Sequence, residues 1–303
     1  MAYAYIEDEI EALKQEKNAI ILAHYYVPDE VKEIADYVGD SYGLAKQACA
    51  TDASTIVFAG VDFMGESAKI LNPDKTVLMP DMTADCPMAH MITIQAVEAM
   101  RKKYDDLAVV CYVNSTAALK AHCDVCVTSS NAVTIVRKLR NHHIFFVPDK
   151  NLGYYVSTQV PEKDIILHTG YCPRHNAVRP AYVKALQQKH PEALFLAHPE
   201  CPKDVLALAD YIGSTAGIIK YAAASPAKEF IIGTEGGVMY ELTTQNPDKT
   251  FYPAMECQYC INMKKVTLAK VRDCLRDGTN EVHVPDEIRR KSLRALDTML
   301  ALA

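Results

Sequence analysis

The stretch Asn246–Cys260, NPDKTFYPAMECQYC, repeats the pattern of Asn72–Cys86, NPDKTVLMPDMTADC, with the pentapeptide NPDKT fourteen positions before a cysteine in both. The surroundings repeat as well. His24 closes an apolar run 62 positions before Cys86, and His198 closes one 62 positions before Cys260. A looser third copy lies between them: VVCYVN ending at Asn114, then Ser129, PEKD at Pro161 and Cys172, with Asn114 58 positions before that cysteine. A period of about 87 residues with a fixed internal order marks a triplicated unit.

Each unit reads as an apolar strand, a polar residue, a serine near a helix start, a second strand, a second helix, a third strand and a cysteine. Runs such as Ala19–Ala23 and Ala108–Val113 are continuous apolar stretches too short for helices, which suits buried parallel strands. The expected fold class is therefore α/β: three pseudo-threefold-related αβα domains with small parallel sheets around a central site. Boundaries are expected at 1–104, 105–190 and 191–279, with a C-terminal helix in 280–303 packing back on the first domain.

A chain of 303 residues that is half hydrophobic and 23% charged has the profile of a globular protein. Its net charge of −6 argues against nucleic acid as a partner. No apolar stretch approaches bilayer-spanning length, so no membrane is expected. The charged start without an apolar core and the ten cysteines together suit a reducing, cytoplasmic setting, with thiols serving as ligands or nucleophiles.

One free cysteine is most often a small buried hydrophobe. Three at matching positions of three repeats, Cys86, Cys172 and Cys260, point instead to a metal. Three thiolates can hold zinc or three irons of a [4Fe–4S] cluster, and a three-ligand set leaves one position open to substrate. The pair Cys123–Cys126 has no counterpart in the other repeats and reads as core. Cys257 stands beside Cys260 in a second CxxC, which could be redox-active or half of a zinc site.

The strand tips carry His24, Asn114 and His198, with Tyr26, Tyr112 and Glu200 as close neighbours. Ser41, Ser129 and the pair Ser214–Thr215 follow fifteen to seventeen positions later. Each hydroxyl could cap its helix or point into the site, and a helix N-terminus with a free hydroxyl favours a small anion. His175 could sit over the metal or on the surface. No P-loop or GxGxxG is present, and GTEGG at Gly233 lacks the lysine of a phosphate-binding loop.

These residues together resemble the quinolinate synthase (NadA) family over essentially the whole chain. The elements are AHYY with His24, GDS with Ser41, CPM with Cys86, YVN spanning Tyr112, Val113 and Asn114, TSSN with Ser129, and GYCPRH with Cys172 and His175. AHPEC with His198, Pro199 and Glu200, GST with Ser214 and Thr215, GTEGG, and Cys260 before INMKK complete the set. The resemblance implies a [4Fe–4S] cluster with three cysteine ligands and one open iron that acts as a Lewis acid. It implies condensation of iminoaspartate (iminosuccinate) with dihydroxyacetone phosphate to quinolinate, phosphate and two waters, in NAD biosynthesis. An L-aspartate oxidase or dehydrogenase would be the functional partner. Glu200 would be the leading acid/base, with His198 beside it and Tyr26 and Tyr112 orienting protons. His24, Ser41, Asn114, Ser129 and Thr215 would hold carboxylates and phosphate. Some relatives carry CxxCxxC near the C-terminus; here Met263 stands at the third cysteine position, which leaves a redox switch there in doubt.

Overall fold

The computed structural model describes residues 5–303. Its strands form three four-stranded sheets in which every neighbouring pair is parallel. The first contains β1 (Ala19–His24), β2 (Tyr37–Gly39), β3 (Thr55–Ala59) and β4 (Thr76–Leu78); the second contains β5 (Leu107–Tyr112), β6 (Val125–Val127), β7 (His143–Val147) and β8 (Asp164–Leu167). The third contains β9 (Leu194–Ala197), β10 (Tyr211–Ile212), β11 (Glu229–Gly233) and β12 (Thr250–Pro253). Each sheet has its second strand outside its first, then the third and fourth on the other side: β2-β1-β3-β4, β6-β5-β7-β8 and β10-β9-β11-β12. Strand order thus reverses between the first and third strands of every sheet. Parallel α/β sheets open a crevice at that point, beyond the carboxyl ends of their strands.

The fold class is therefore the expected one, with one more strand per unit than the first and third repeats suggested. β2 and β10 are three and two residues long, too short to leave a periodic signal. The inner strands are the buried ones: all six residues of β5 are buried, as are the last four of β1. Two helix faces cover them, as an all-parallel sheet requires.

Sheet register shows which tip residues are equivalent. Ala23 pairs with Ala59, Cys111 with Val147 and Ala197 with Gly233. One residue on, His24, Tyr112 and His198 therefore share a position, and two further on Tyr26, Asn114 and Glu200 share the next. This corrects the sequence expectation, which set Asn114 against the two histidines. The middle copy's apolar run extends through Val113, two residues past the point where the other two stop.

One apolar core runs through the first two repeats and takes in Val266, Val271, Cys274 and Leu275 from the end of the third, whose sheet has separate clusters on its two faces. The C-terminal segment links the first two. Val282 donates its N–H to Val77 O beside β4, and the helix Asp286–Leu302 then lies against the helix Asp62–Leu71 of the first repeat and against β6 and Ala117–Lys120 of the second. The helix Leu268–Asp277 ties the third repeat to the first through Val271, Cys274 and Leu275, and polar contacts add to it. Lys32, buried, donates to Gly237 O at 2.8 Å and pairs with Glu241 at 3.2 Å. Among the described residues no helix is long and apolar enough to cross a membrane.

Candidate active site

The carboxyl ends of all three sheets converge on one cavity of about 130 Å³. Each sheet delivers a strand-tip residue, a hydroxyl and a cysteine. His24, Tyr112 and His198 line it from the first strands, and Tyr26, Asn114 and Glu200 from two positions further along. Ser41, Ser129 and Thr215 line it from the ends of the second strands, and Cys86, Cys172 and Cys260 from the loops beyond the fourth. His175 lines it too and is buried. Val113, Pro199 and Ser214 do not: Val113 is buried and donates its N–H to Val127 O, and Ser214 caps its own helix through Gly217 N at 3.2 Å. Asp40 caps the equivalent helix in the first repeat, accepting from Gly43 N at 2.9 Å. The caps are thus the residues before Ser41 and Thr215, which leaves those two hydroxyls free of the capping role.

The two tip histidines are held alike. His24 Nδ1 accepts the Tyr26 N–H at 3.2 Å, and His198 Nδ1 accepts the Glu200 N–H at 3.3 Å. That fixes both rings with the proton on Nε2, and His198 Nε2 lies 3.1 Å from Ser129 Oγ. Burial pushes both imidazoles down to about 3, against the attraction of Glu200. Each is therefore a neutral donor. The unfolded chain takes up two protons below about pH 6.5 that the folded chain refuses, so their share of stability is full above 6.5 and drains as pH falls towards 3. We expect metal-free protein to lose about 2–3 kcal/mol between pH 7 and 5.5 from this pair, as a fall in the urea midpoint. A midpoint unchanged over that range would show that one or both rings are protonated in the folded state.

Glu200 is the charged group. Burial opposes its ionisation, but His175 outweighs burial through its charge and hydrogen bond, with His198 adding, and the carboxyl is held at about 2. His175 Nδ1 lies 2.6 Å from Glu200 Oε2, and its Nε2 lies 2.9 Å from Thr234 Oγ1. Thr234 in turn meets the Tyr26 hydroxyl at 3.0 Å, and Tyr26 meets Thr215 Oγ1 at 2.5 Å. Glu200 Oε1 and Asn114 Oδ1 are two of the four buried side-chain polar atoms without a partner among the described residues. Both are acceptors at the cavity, which is what a site for a ligand with donors leaves unpaired.

Thr234 and its neighbour Glu235 escaped the sequence reading, although GTEGG carries them. The loop folds over the first repeat so closely that a Cβ on Gly237 would stand 2.8 Å from Tyr25 O and Tyr26 Cα. Glycine there is a requirement of close approach.

Burial pushes the Cys86 thiol up to about 12, with Cys260 adding to it, and raises Cys172 and Cys260 as well. Three thiols held neutral around one cavity become thiolates when a cation compensates the lost solvation. The donor set fits a thiophilic metal centre. Ligand atoms of Cys172, His175 and Glu200 also lie within 4.8 Å of one another, close enough to share a metal ion.

Comparison with known proteins agrees over nearly the whole chain. The model of a family described as "Quinolinate synthetase A protein" matches residues 8–301. The chain is 55% identical over 298 residues to the quinolinate synthase of Fusobacterium nucleatum subsp. nucleatum, covering 98% of this chain and 99% of that one. It is 50% identical over 298 residues to quinolinate synthase 2 of Methanosarcina acetivorans, covering 98% and 96% of the two chains. To the quinolinate synthase of Clostridioides difficile it is 50% identical over 295 residues, with 97% of each chain covered.

Proposed function

The chain belongs to the quinolinate synthase family of enzymes, and from that premise we propose that it condenses iminoaspartate with dihydroxyacetone phosphate to give quinolinate, phosphate and two waters. Both substrates are anions. Neutral Nε2–H donors on His24 and His198 and the hydroxyls of Ser41, Ser129 and Thr215 suit their carboxylate and phosphate oxygens. The unpaired Asn114 Oδ1 accepts from a substrate hydroxyl or nitrogen.

Glu200 takes and returns protons, and His175 is its partner at 2.6 Å. His198 acts as a donor and not as the base, because burial keeps it neutral. Tyr26 and Tyr112 are held as phenols, since burial raises both well above the usual tyrosine value. Tyr26 orients the Thr215 and Thr234 hydroxyls that it bonds, and Tyr112 donates to substrate oxygen. A substrate that fills the cavity displaces water from it, which protects an imine from hydrolysis.

The observation that carries this reading is the delivery of one cysteine by each repeat to a single cavity. Cys86, Cys172 and Cys260 would hold three irons of a [4Fe–4S] cluster, whose fourth iron supplies Lewis acidity for loss of hydroxide. The three repeats serve as three domains, 1–104, 105–190 and 191–279, each giving one ligand. The ten free thiols suit a reducing cytoplasm, and an enzyme that oxidises L-aspartate would supply the imine.

A single zinc on Cys172, His175 and Glu200 is the second reading, favoured by their mutual closeness. It is weaker, because both nitrogens of His175 are already engaged, Nδ1 by Glu200 and Nε2 by Thr234. Iron and acid-labile sulfide in anaerobically purified protein decide between them. About four of each per chain, with quinolinate formed from the two substrates, is the expected result; one zinc and no sulfide would overturn it.

A further inference from the structure

We propose that Asp149 and Glu235 are positioning residues for the metal centre, each holding a ligand cysteine by its backbone N–H; this rests on the reading of Cys172 and Cys260 as ligands. The two carboxylates are equivalent by register. Val147 and Gly233 end β7 and β11 at matching pairs with Cys111 and Ala197, and Asp149 and Glu235 stand two residues beyond. Both are buried, at 0% and 1% exposure.

Each uses its two oxygens in opposite directions. Asp149 Oδ1 accepts from Asn151 N and Leu152 N, both at 2.8 Å, and its Oδ2 accepts from Cys172 N at 3.0 Å. Glu235 Oε2 accepts from Gly237 N at 2.6 Å, and its Oε1 accepts from Cys260 N at 2.7 Å. Every one of these partners is a backbone N–H. An amide would turn its NH₂ group against one of them, so a carboxylate alone satisfies both sides. Burial, with Glu200 adding, raises the Asp149 carboxyl well above the usual carboxylate range, and burial raises Glu235, against the N–H groups donated to each; the arrangement itself, with every oxygen accepting, is what assigns the role.

The need arises from the loops. Cys172 and Cys260 lie past the last strand of their sheets, where no neighbouring strand can take their N–H groups. A buried carboxyl group two residues beyond the neighbouring strand pins the ligand's peptide and sets the direction of its thiol. The first repeat has Val61 at the equivalent position and solves the problem differently. Asp85 Oδ1 accepts from the adjacent Cys86 N at 2.7 Å, and its Oδ2 meets His90 Nε2 at 2.7 Å on an exposed face. All three ligand N–H groups thus end on a carboxylate, and the two buried ones are shielded from solvent.

The test is the rate at which a ferrous chelator strips iron from anaerobically reconstituted Asp149→Asn and Glu235→Gln proteins, followed by loss of the visible absorption. Groups that orient metal ligands are typically worth 10–100-fold in metal affinity, and we expect release about 10–100-fold faster than in the parent. Asp85→Asn should change it less, because water can replace that acceptor. Glu235→Asp covers the case in which Asp149→Asn fails to fold: it keeps the carboxyl group but is one methylene short of spanning Gly237 and Cys260, and should fall between parent and Glu235→Gln. Folded Glu235 variants that release iron at the parent rate overturn the proposal. A parent protein that holds no iron–sulfur cluster overturns the proposed function instead. The positioning role is then read from Co²⁺ titration of the thiols, where 10–100-fold weaker binding in the variants supports it and equal binding overturns it.

Discussion

Cys86→Ser, Cys172→Ser and Cys260→Ser proteins are each expected to fold, to lack the cluster, and to lose quinolinate formation with it. Folding should survive because the three thiols project into a cavity and stand only half-buried against it. A serine hydroxyl is nearly isosteric, and the backbone N–H of each residue keeps its carboxylate. Metal binding should not survive, because a serine hydroxyl does not ionise at neutral pH as a metal-bound thiol does. Lewis-acid assistance is worth several kcal/mol, so activity should fall on the order of 10³-fold or more. Cys123→Ser is the control. That thiol donates to Leu119 O at 3.2 Å beneath the second sheet, a bond that a hydroxyl can make, and it does not line the cavity. A Cys86→Ser protein that kept four irons and normal turnover would remove the basis for the assignment.

The architecture and the convergence of the three cysteines were both legible in the residues, and for one reason. Triplication writes the same local chemistry three times, so apolar runs and cysteines that are individually weak signals reinforce one another. The short strands β2 and β10 left no trace, because two or three residues cannot show a period. The equivalence of Tyr112 with the two tip histidines was hidden by two extra apolar residues, and sheet register alone reveals it. Ser214 and Thr215 could not be separated by type, since either hydroxyl caps a helix; geometry gives the cap to Ser214 and the cavity to Thr215. Asp149, Thr234 and Glu235 were out of reach for a further reason. Their partners Cys172, Tyr26 and Cys260 are 23, 208 and 25 residues away in the chain, and no spacing rule joins a strand end to the loop after the next strand. His175, three residues from Cys172, was visible as a candidate, but its pairing with Glu200 depends on the packing of the second repeat against the third.

Glu200→Gln should separate assembly of the site from its chemistry. Glu200 is no partner of the ligand N–H groups, so the variant is expected to hold its cluster with the parent's spectrum. Its backbone stays in place, because Asn151 Nδ2 donates to Glu200 O at 2.9 Å and the Glu200 N–H is donated to His198 Nδ1. What changes is the side chain opposite His175. A carboxylate held at about 2 by that imidazole is an anion at neutral pH that can accept a proton and return it; the amide can do neither. Proton transfer by a positioned group is worth about 10²–10⁴-fold, so kcat should fall within that range while KM for dihydroxyacetone phosphate stays within a few-fold of the parent. A loss confined to KM would make Glu200 a binding group, since uniform binding raises affinity without raising kcat. Undiminished kcat would move the base elsewhere. It would not move it to His24 or His198, whose rings are held neutral with Nδ1 engaged by a backbone N–H. His175 is the remaining imidazole at the cavity: with the carboxylate gone its Nδ1 would be the nitrogen available, while Nε2 stays on the Thr234 hydroxyl.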